Sequence, residues 1–179
     1  MRDFVSKLNG NWTHITHLLL DLYNNYIFQH PYIKRTPRGV TIDIKYTLLF
    51  EKLKPLYNLV EMYPTKLKER KLRYMELKHS SWPLHMDRVL GQPIKQAIIF
   101  PLINCDENTI TRWYELTEGD ITEEKTNAYF INENKPFKTK TLYETSFRNH
   151  EPVRIRVDVL HNVETKLKNK TRLITGWYV

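Results

Sequence analysis

The chain has 179 residues, enough for one domain with a buried core and no disulfide staples. Hydrophobic residues make up 41% and charged residues 27%, a composition that argues against a disordered chain. The single cysteine, Cys105, excludes an internal disulfide framework and a Cys-based zinc finger. No apolar run approaches the roughly 20 residues of a membrane span, and the first residues lack an apolar signal core. We therefore expect a soluble, cytoplasmic protein with no membrane partner.

Positive charge is the second global feature. Lys and Arg number 28 against 20 Asp and Glu, which leaves a net charge of +8. Much of the excess lies in two clusters, at 66–73 and 166–170. Such clusters indicate either ordinary solubility or a surface that binds nucleic acid or another polyanion. The G-x-G-x-x-G, P-loop and G-x-S-x-G motifs are absent from the sequence, so it carries no nucleotide-binding or hydrolase motif of these kinds.

The first 66 residues predict mostly helical structure. Apolar side chains three or four residues apart predict a helix over 11–28, with Asn11 as its N-cap. Residues 40–46 alternate between apolar and polar as a strand does. Residues 47–63 are predicted to be helical, with a break at Pro55.

Residues 67–179 predict a run of short strands separated by turn-like segments. The predicted strands are 72–77, 94–103, 111–116, 128–131, 152–163 and 172–178. Helices followed by strands favour a mainly β fold with N-terminal helices, an α+β arrangement whose strands close into a jelly roll. We predict one domain over 1–179, with a mostly helical part at 1–66 and the jelly-roll core at 67–179. The polar and aromatic segment 118–149 is either a lid over a pocket or an ordinary insertion.

Three side chains carry candidate metal chemistry. His85 and Asp87 are two residues apart, so in an extended chain both point to one face. His161 lies on the apolar face of the predicted strand 152–163, where an imidazole needs a partner, which is either a metal or a carboxylate. Two histidines and one carboxylate leave three positions of an octahedral shell open, an arrangement typical of non-haem Fe(II) oxygenases.

Arg172 is the candidate anion-binding residue. A loop at 165–168 would place Arg172 opposite His161 in an antiparallel pair, and residues opposite each other share a face. An inward guanidinium beside a metal suits a carboxylate, because its planar fork binds both oxygens. A purely structural explanation stays open as well, in which Arg172 forms a buried ion pair with Asp87 or Glu164.

A family resemblance rests on four residues: His85, Asp87, His161 and Arg172. Their order and spacing resemble the Fe(II)/2-oxoglutarate-dependent oxygenases, over about residues 72–179. The small phage-type and aspartyl/asparaginyl-hydroxylase-like members are the most similar, on the segments 84–87, 97–105 and 111–114. The resemblance implies a double-stranded β-helix, a cupin-like form of jelly roll. It also implies that His85, Asp87 and His161 bind iron and that Arg172 binds the 5-carboxylate of 2-oxoglutarate.

The function implied by this resemblance is that of a dioxygenase that uses Fe(II), 2-oxoglutarate and O₂ to hydroxylate a C–H bond. The substrate classes that we consider are a protein residue, an amino acid and a nucleobase. Asn104 and Tyr114 are predicted near the mouth of the site, hydrogen-bonded to the cosubstrate, with Lys95 as a rival cation for its carboxylate. Two alternatives stay open. One is a basic jelly-roll module that binds nucleic acid and keeps a vestigial metal site; the other is a cupin-type zinc-dependent hydrolase or isomerase.

Overall fold

The computed structural model describes ten segments of the chain. They are residues 3–26, 33–36, 39–43, 71–78, 82–89, 92–93, 95–123, 128–131, 134–166 and 170–178. Within these segments there are one α-helix and fourteen β-strands, so the chain is mainly β, as predicted. The helix predicted over 47–63 lies outside the described residues. No helix in the described segments is long and apolar enough to cross a membrane.

All paired strands are antiparallel and form two sheets. The helix α1 spans Thr13–Tyr26. The strands are β1 Val5–Lys7, β2 Ile33–Thr36, β3 Gly39–Asp43, β4 Lys71–Lys78, β5 Trp82–Val89, β6 Gln92–Pro93, β7 Gln96–Ile103, β8 Thr109–Glu118, β9 Ile121–Glu123, β10 Ala128–Ile131, β11 Lys138–Ser146, β12 Val153–Arg156, β13 His161–Thr165 and β14 Thr171–Tyr178. Sheet A has the order β1-β12-β7-β14-β4-β3-β2. Sheet B has the order β11-β8-β13-β5-β10-β9, and β6 pairs with β5 beside it.

A hydrophobic core lies between the two sheets. Its buried members come from β7, β8, β12 and the segments next to them: Ala97, Ile99, Cys105, Trp113, Phe147, Val153, Ile155 and Val157. Because β7 and β12 belong to sheet A and β8 to sheet B, this cluster holds the inner faces of the two sheets together. The side chains that reach this interior are therefore the ones available for a buried site.

The helix α1 covers the other face of sheet A. Ile15, Leu19 and Leu22 recur at helical spacing and are buried, as the sequence predicts. The backbone carbonyl of Leu19 accepts a hydrogen bond from the hydroxyl of Tyr74 on β4 at 2.7 Å. The side-chain oxygen of Asn11 accepts a hydrogen bond from the Thr13 amide, which confirms Asn11 as the cap of this helix.

Five of the six predicted strands are confirmed with small differences at their ends, and the sixth is wrong. The predicted strand 152–163 is two strands, β12 in sheet A and β13 in sheet B. The chain bends at 157–160 between them, where the guanidinium of Arg156 donates two hydrogen bonds to the carboxylate of Asp158. The alternating pattern continues across the bend, so it could not reveal that the chain changes sheets.

Two further regions differ from expectation. The segment 118–149 contains β9, β10 and β11, which all belong to sheet B. The described residues of the N-terminal part contain α1 and the strands β1, β2 and β3, which extend sheet A. β3 lies where the alternation of 40–46 predicts a strand, whereas β1 and β2 were not predicted.

Candidate metal centre

Three candidate ligands meet on the inner side of sheet B. His85 on β5 and His161 on β13 are directly opposite each other in the ladder. Asp87 follows on β5, and its Oδ1 lies 3.7 Å from Nε2 of His85. One ligand atom from each of the three residues lies within 4.8 Å of the others. Within the described residues, this is the one such group of His, Cys, Asp or Glu side chains, and it is the group that the sequence predicts.

A β-bulge in β5 helps to set the direction of His85. His161 pairs with His85, but Val163 pairs with Trp82, so three steps along β5 match two steps along β13. The extra residue lies between Trp82 and His85, and within this segment the carbonyl oxygen of Pro83 lies 2.8 Å from Nδ1 of His85. A carbonyl only accepts hydrogen bonds, so Nδ1 carries a proton, and in the neutral ring Nε2 is then the nitrogen with the lone pair.

His161 is held in the same way. Its Nδ1 lies 2.8 Å from the carbonyl oxygen of Val159, which again leaves Nε2 as the free nitrogen. Burial, together with the neighbouring His85, lowers the pKa of His161 to about 3. His161 is therefore neutral at physiological pH, the form in which an imidazole binds a metal. Backbone carbonyls are common partners for the second nitrogen of a metal-binding histidine.

Aromatic rings surround the two histidines. Phe130 on β10 lies with its ring centroid 6.0 Å from His85 and its plane inclined by 25°. Trp82 approaches His85 to 5.8 Å, and Trp113 on β8 lies 6.5 Å from His161. These rings keep water away from both imidazoles and leave the half-buried carboxylate of Asp87 as the more open side of the cluster.

Arg172 is buried as predicted, but the pairing used to predict this is wrong. β13 pairs with β5 and β8 in sheet B, whereas β14 pairs with β4 and β7 in sheet A. Arg172 therefore lies opposite Leu77 and not opposite His161. It is nevertheless only 4% exposed, and its guanidinium carbon lies 5.8 Å from the ring centroid of Phe147, a member of the core between the sheets.

The guanidinium of Arg172 has unused hydrogen-bonding capacity. Its Nε is buried and has no hydrogen-bond partner in the described part of the chain. Burial raises the pKa of the neighbouring Cys105 thiol, and the charge of Arg172 and a side-chain hydrogen bond between the two residues oppose that rise. A buried cationic donor without an acceptor is costly, and a bound carboxylate would supply the acceptor. Glu164, one candidate partner, is instead paired with Arg112, which lowers the pKa of Glu164.

Asn104 and Tyr114 already have partners in the protein. Asn104 adopts a left-handed conformation (φ 51°) after β7, and its amide donates to the carbonyl of Thr171 at 2.7 Å. Tyr114 follows Trp113, which is paired with His161, so Tyr114 points to the opposite face of sheet B. Its hydroxyl donates to the side-chain oxygen of Asn162 at 3.2 Å. The structure does not bring Tyr114 to the metal-ligand cluster.

Two residues near the cluster were missed by the sequence analysis. Trp113 is fully buried beside His161, and Phe130 reaches His85 because β10 pairs with β5. The alternation of β8 makes Trp113 an inward residue, which was an available signal. Nothing local to β10 indicates which strand it joins.

Comparisons with known proteins give a structural likeness only. No protein family model and no curated protein sequence matches the chain. A prolyl-4-hydroxylase from Pseudomonas putida is similar in structure, with a TM-score of 0.53 and 9% sequence identity, over 98% of this chain and 91% of that one. Hydroquinone 1,2-dioxygenase PnpCD, in complex with Cd²⁺ and 4-hydroxybenzonitrile, matches 60% of this chain and 57% of its own, with 8% identity and a TM-score of 0.36. The first match indicates a similar fold, and the second is too weak to support an argument.

Proposed function

We propose that the protein is an Fe(II)- and 2-oxoglutarate-dependent dioxygenase that hydroxylates a C–H bond of its substrate. The observation that carries this proposal is the meeting of His85, Asp87 and His161 at one point inside a mainly β fold. Two imidazoles and one carboxylate are the donor set of the facial triad that binds Fe(II) and leaves positions open. The fold similarity to a hydroxylase is consistent with this function.

The strand order supports the jelly-roll form of the fold. The strands β4, β14, β7 and β12 are adjacent in sheet A, and β5, β13, β8 and β11 are adjacent in sheet B. Along the chain, β4 is followed by β5 in the other sheet, and β7 by β8 in the other sheet. The same change of sheet occurs from β12 to β13 and from β13 to β14. Repeated crossing between two facing antiparallel sheets is the arrangement of a double-sheet jelly roll.

In this proposal the protein holds and orients the reactants. His85, Asp87 and His161 bind the metal, and the carbonyls of Pro83 and Val159 keep the two imidazoles in the binding tautomer. The bound metal, with its cosubstrate, supplies the oxygen chemistry that side chains lack. The guanidinium of Arg172 binds the cosubstrate through a carboxylate, which provides the missing acceptor for its buried Nε. A zinc hydrolase with the same three ligands needs no cosubstrate carboxylate, so it would not explain why Nε of Arg172 is buried without an acceptor.

The test is an anaerobic titration with Fe(II) and 2-oxoglutarate, followed by the visible charge-transfer absorption of the chelate. We expect the band in the wild-type protein and in His17→Ala, which removes an exposed histidine on α1. We expect no band in His161→Ala. A correctly folded wild-type protein that binds neither Fe(II) nor 2-oxoglutarate would refute the proposal and would favour the basic binding module. Steep salt dependence of nucleic-acid binding would then support that alternative.

A further inference from the structure

An aromatic series leads from His161 to the protein surface. Trp113 is fully buried, with its ring centroid 6.5 Å from that of His161 and the two planes inclined by 28°. Tyr143 on the edge strand β11 is paired with Trp113 at a ring-centroid distance of 5.7 Å, and 42% of its surface is exposed. Two rings therefore separate the metal-ligand cluster from solvent in this direction.

The positions of these two rings are secured by their neighbours. The indole nitrogen of Trp113 donates to the carbonyl of Arg156 at 2.8 Å. Phe4, which precedes β1, is nearly parallel to Tyr143 at 5.6 Å and lies 5.9 Å from Trp113. β1 is an edge strand of sheet A, and β11 is an edge strand of sheet B. The contact between Phe4 and Tyr143 therefore connects the edges of the two sheets. The guanidinium of Arg156 lies 6.0 Å from the Phe4 ring and is held by Asp158.

The hydrogen bond to the Arg156 carbonyl accounts for a tryptophan at position 113, and exposure accounts for the hydroxyl of Tyr143. The same two residues also have a redox property that phenylalanine lacks. Tryptophan and tyrosine differ from phenylalanine because they give up an electron far more readily. They occupy the two positions that connect His161 to solvent, and Phe4 lies beside that connection.

We propose that Trp113 and Tyr143 form an electron-transfer path from the protein surface to the metal centre. The path would return electrons to the centre when it reacts with O₂ while no substrate is present, and would so protect the ligands from oxidation. This inference rests on the proposed function, because it needs an oxidising iron centre at His161. Tyr143 becomes, in addition, a site of oxidative modification.

Each electron that reaches the iron centre passes through two one-electron transfer steps, and water supplies the proton that the centre takes up with it. One electron leaves the indole of Trp113 and reduces the O₂-oxidised iron centre, while the indole proton stays in its hydrogen bond to the Arg156 carbonyl. One electron then leaves Tyr143 and restores the indole. The phenolic proton passes to water, because Tyr143 is exposed. A thiol or ascorbate in solution returns one electron and one proton to the tyrosyl radical.

The experiment uses the Fe(II)-loaded protein in two arms. In the first arm, O₂ is added with 2-oxoglutarate and no other substrate; in the second, hydrogen peroxide is added without 2-oxoglutarate. Radicals are observed by freeze-quench electron paramagnetic resonance, and added oxygen is located by peptide mass mapping. The variants are Tyr143→Phe at the surface, Trp113→Phe in the core, and Tyr23→Phe on α1 as the matched tyrosine control.

We expect a tyrosyl radical and oxygen addition at Tyr143 in the wild-type protein and in Tyr23→Phe. Both signals should be lost in Tyr143→Phe, and oxidation of Tyr143 should fall to background in Trp113→Phe. A radical that is the same in Tyr143→Phe would overturn the path, as would unchanged Tyr143 oxidation in Trp113→Phe. If Fe(II) binds and only the peroxide arm responds, the path stands and the role of 2-oxoglutarate is wrong. If Fe(II) binds and neither arm responds, the path is wrong; if Fe(II) does not bind, both proposals are wrong.

Discussion

The replacement Arg172→Met should make the ligand-free protein more stable. The guanidinium is 4% exposed and its Nε has no partner among the described residues, so folding removes a charge from water without full compensation. The effective penalty for such an ion is several kcal/mol, and an unpaired buried donor alone costs about 1–3 kcal/mol. The contact with the Phe147 ring offsets about 2 kcal/mol of this penalty, and the hydrogen bond between Arg172 and the Cys105 thiol offsets a further part. We therefore expect the free energy of unfolding to rise by about 1–3 kcal/mol, since methionine fills the space without a charge.

The same replacement should abolish the stabilisation by the cosubstrate. A ligand that binds only the folded protein stabilises it by about 2.7 kcal/mol at a concentration of 100 times its Kd. Urea unfolding, followed by tryptophan fluorescence with and without 2-oxoglutarate under anaerobic Fe(II), measures both effects. For a chain of this length, each kcal/mol also raises Tm by about 2–4 °C.

The control is Arg148→Met, which removes an exposed guanidinium and should change the unfolding free energy by less than about 0.5 kcal/mol. A lower unfolding free energy for Arg172→Met in the absence of ligand would show that the guanidinium has partners that compensate its burial. Undiminished stabilisation of Arg172→Met by 2-oxoglutarate would remove Arg172 from the cosubstrate site.

Three further predictions concern the surroundings of the cluster. The pKa of His161 is about 3 in the folded protein and near 6.5 when unfolded, so the unfolded chain takes up the proton first. The unfolding free energy of the metal-free protein should then fall between about pH 6.5 and 3, by up to about 1.4 kcal/mol per pH unit, and urea titrations should show a weaker fall in His161→Phe. Deletion of Leu84, which removes the bulge, should abolish Co(II) binding measured by absorption, whereas Leu84→Ala should keep it. Asn104→Ala should lower the unfolding free energy by about 1–2 kcal/mol and more than Asn104→Gly, because alanine is strained at a φ of 51°; equal losses in thermal unfolding would contradict this.

The parts of the site that depend on local periodicity could be predicted from the sequence. His85 and Asp87 share a face because they are two residues apart on one strand. The burial of His161 could be predicted because this residue continues an apolar alternation, even though the residues of that alternation belong to two strands, β12 and β13. Both inferences need only the positions of neighbours along the chain.

The parts that depend on which strands pair could not be predicted. The turn after β13 was interpreted as a hairpin, but the chain crosses from sheet B to sheet A there, and a short loop permits either course. The bulge near Pro83 likewise depends on the pairing of β5 with β13. The position of Phe130 beside His85 depends on the pairing of β5 with β10. Single-sequence periodicity carries no information about such partners.

The inward direction of Arg172 was nevertheless predicted, and the pairing of β14 with β4 explains why. Arg172 lies opposite Leu77, and Ile174 lies opposite Met75. Met75 and Ile174 both pack against the core between the sheets, so a residue two positions away along this ladder faces the same interior. The face therefore follows from the period of two, whichever sheet the strand joins.

The residues proposed to bind the metal and those proposed to bind the cosubstrate consequently lie on different sheets. The candidate metal ligands belong to β5 and β13 in sheet B, whereas Arg172 belongs to β14 in sheet A. The ladders of β14 contain neither of the strands that carry the ligands, so a change at Arg172 disturbs no backbone pairing of His85 or His161. Metal affinity and cosubstrate affinity should then respond separately to variants, and Co(II) binding to Arg172→Met should match that of the wild-type protein. A joint loss of both affinities in that variant would mean that the guanidinium also positions the metal ligands.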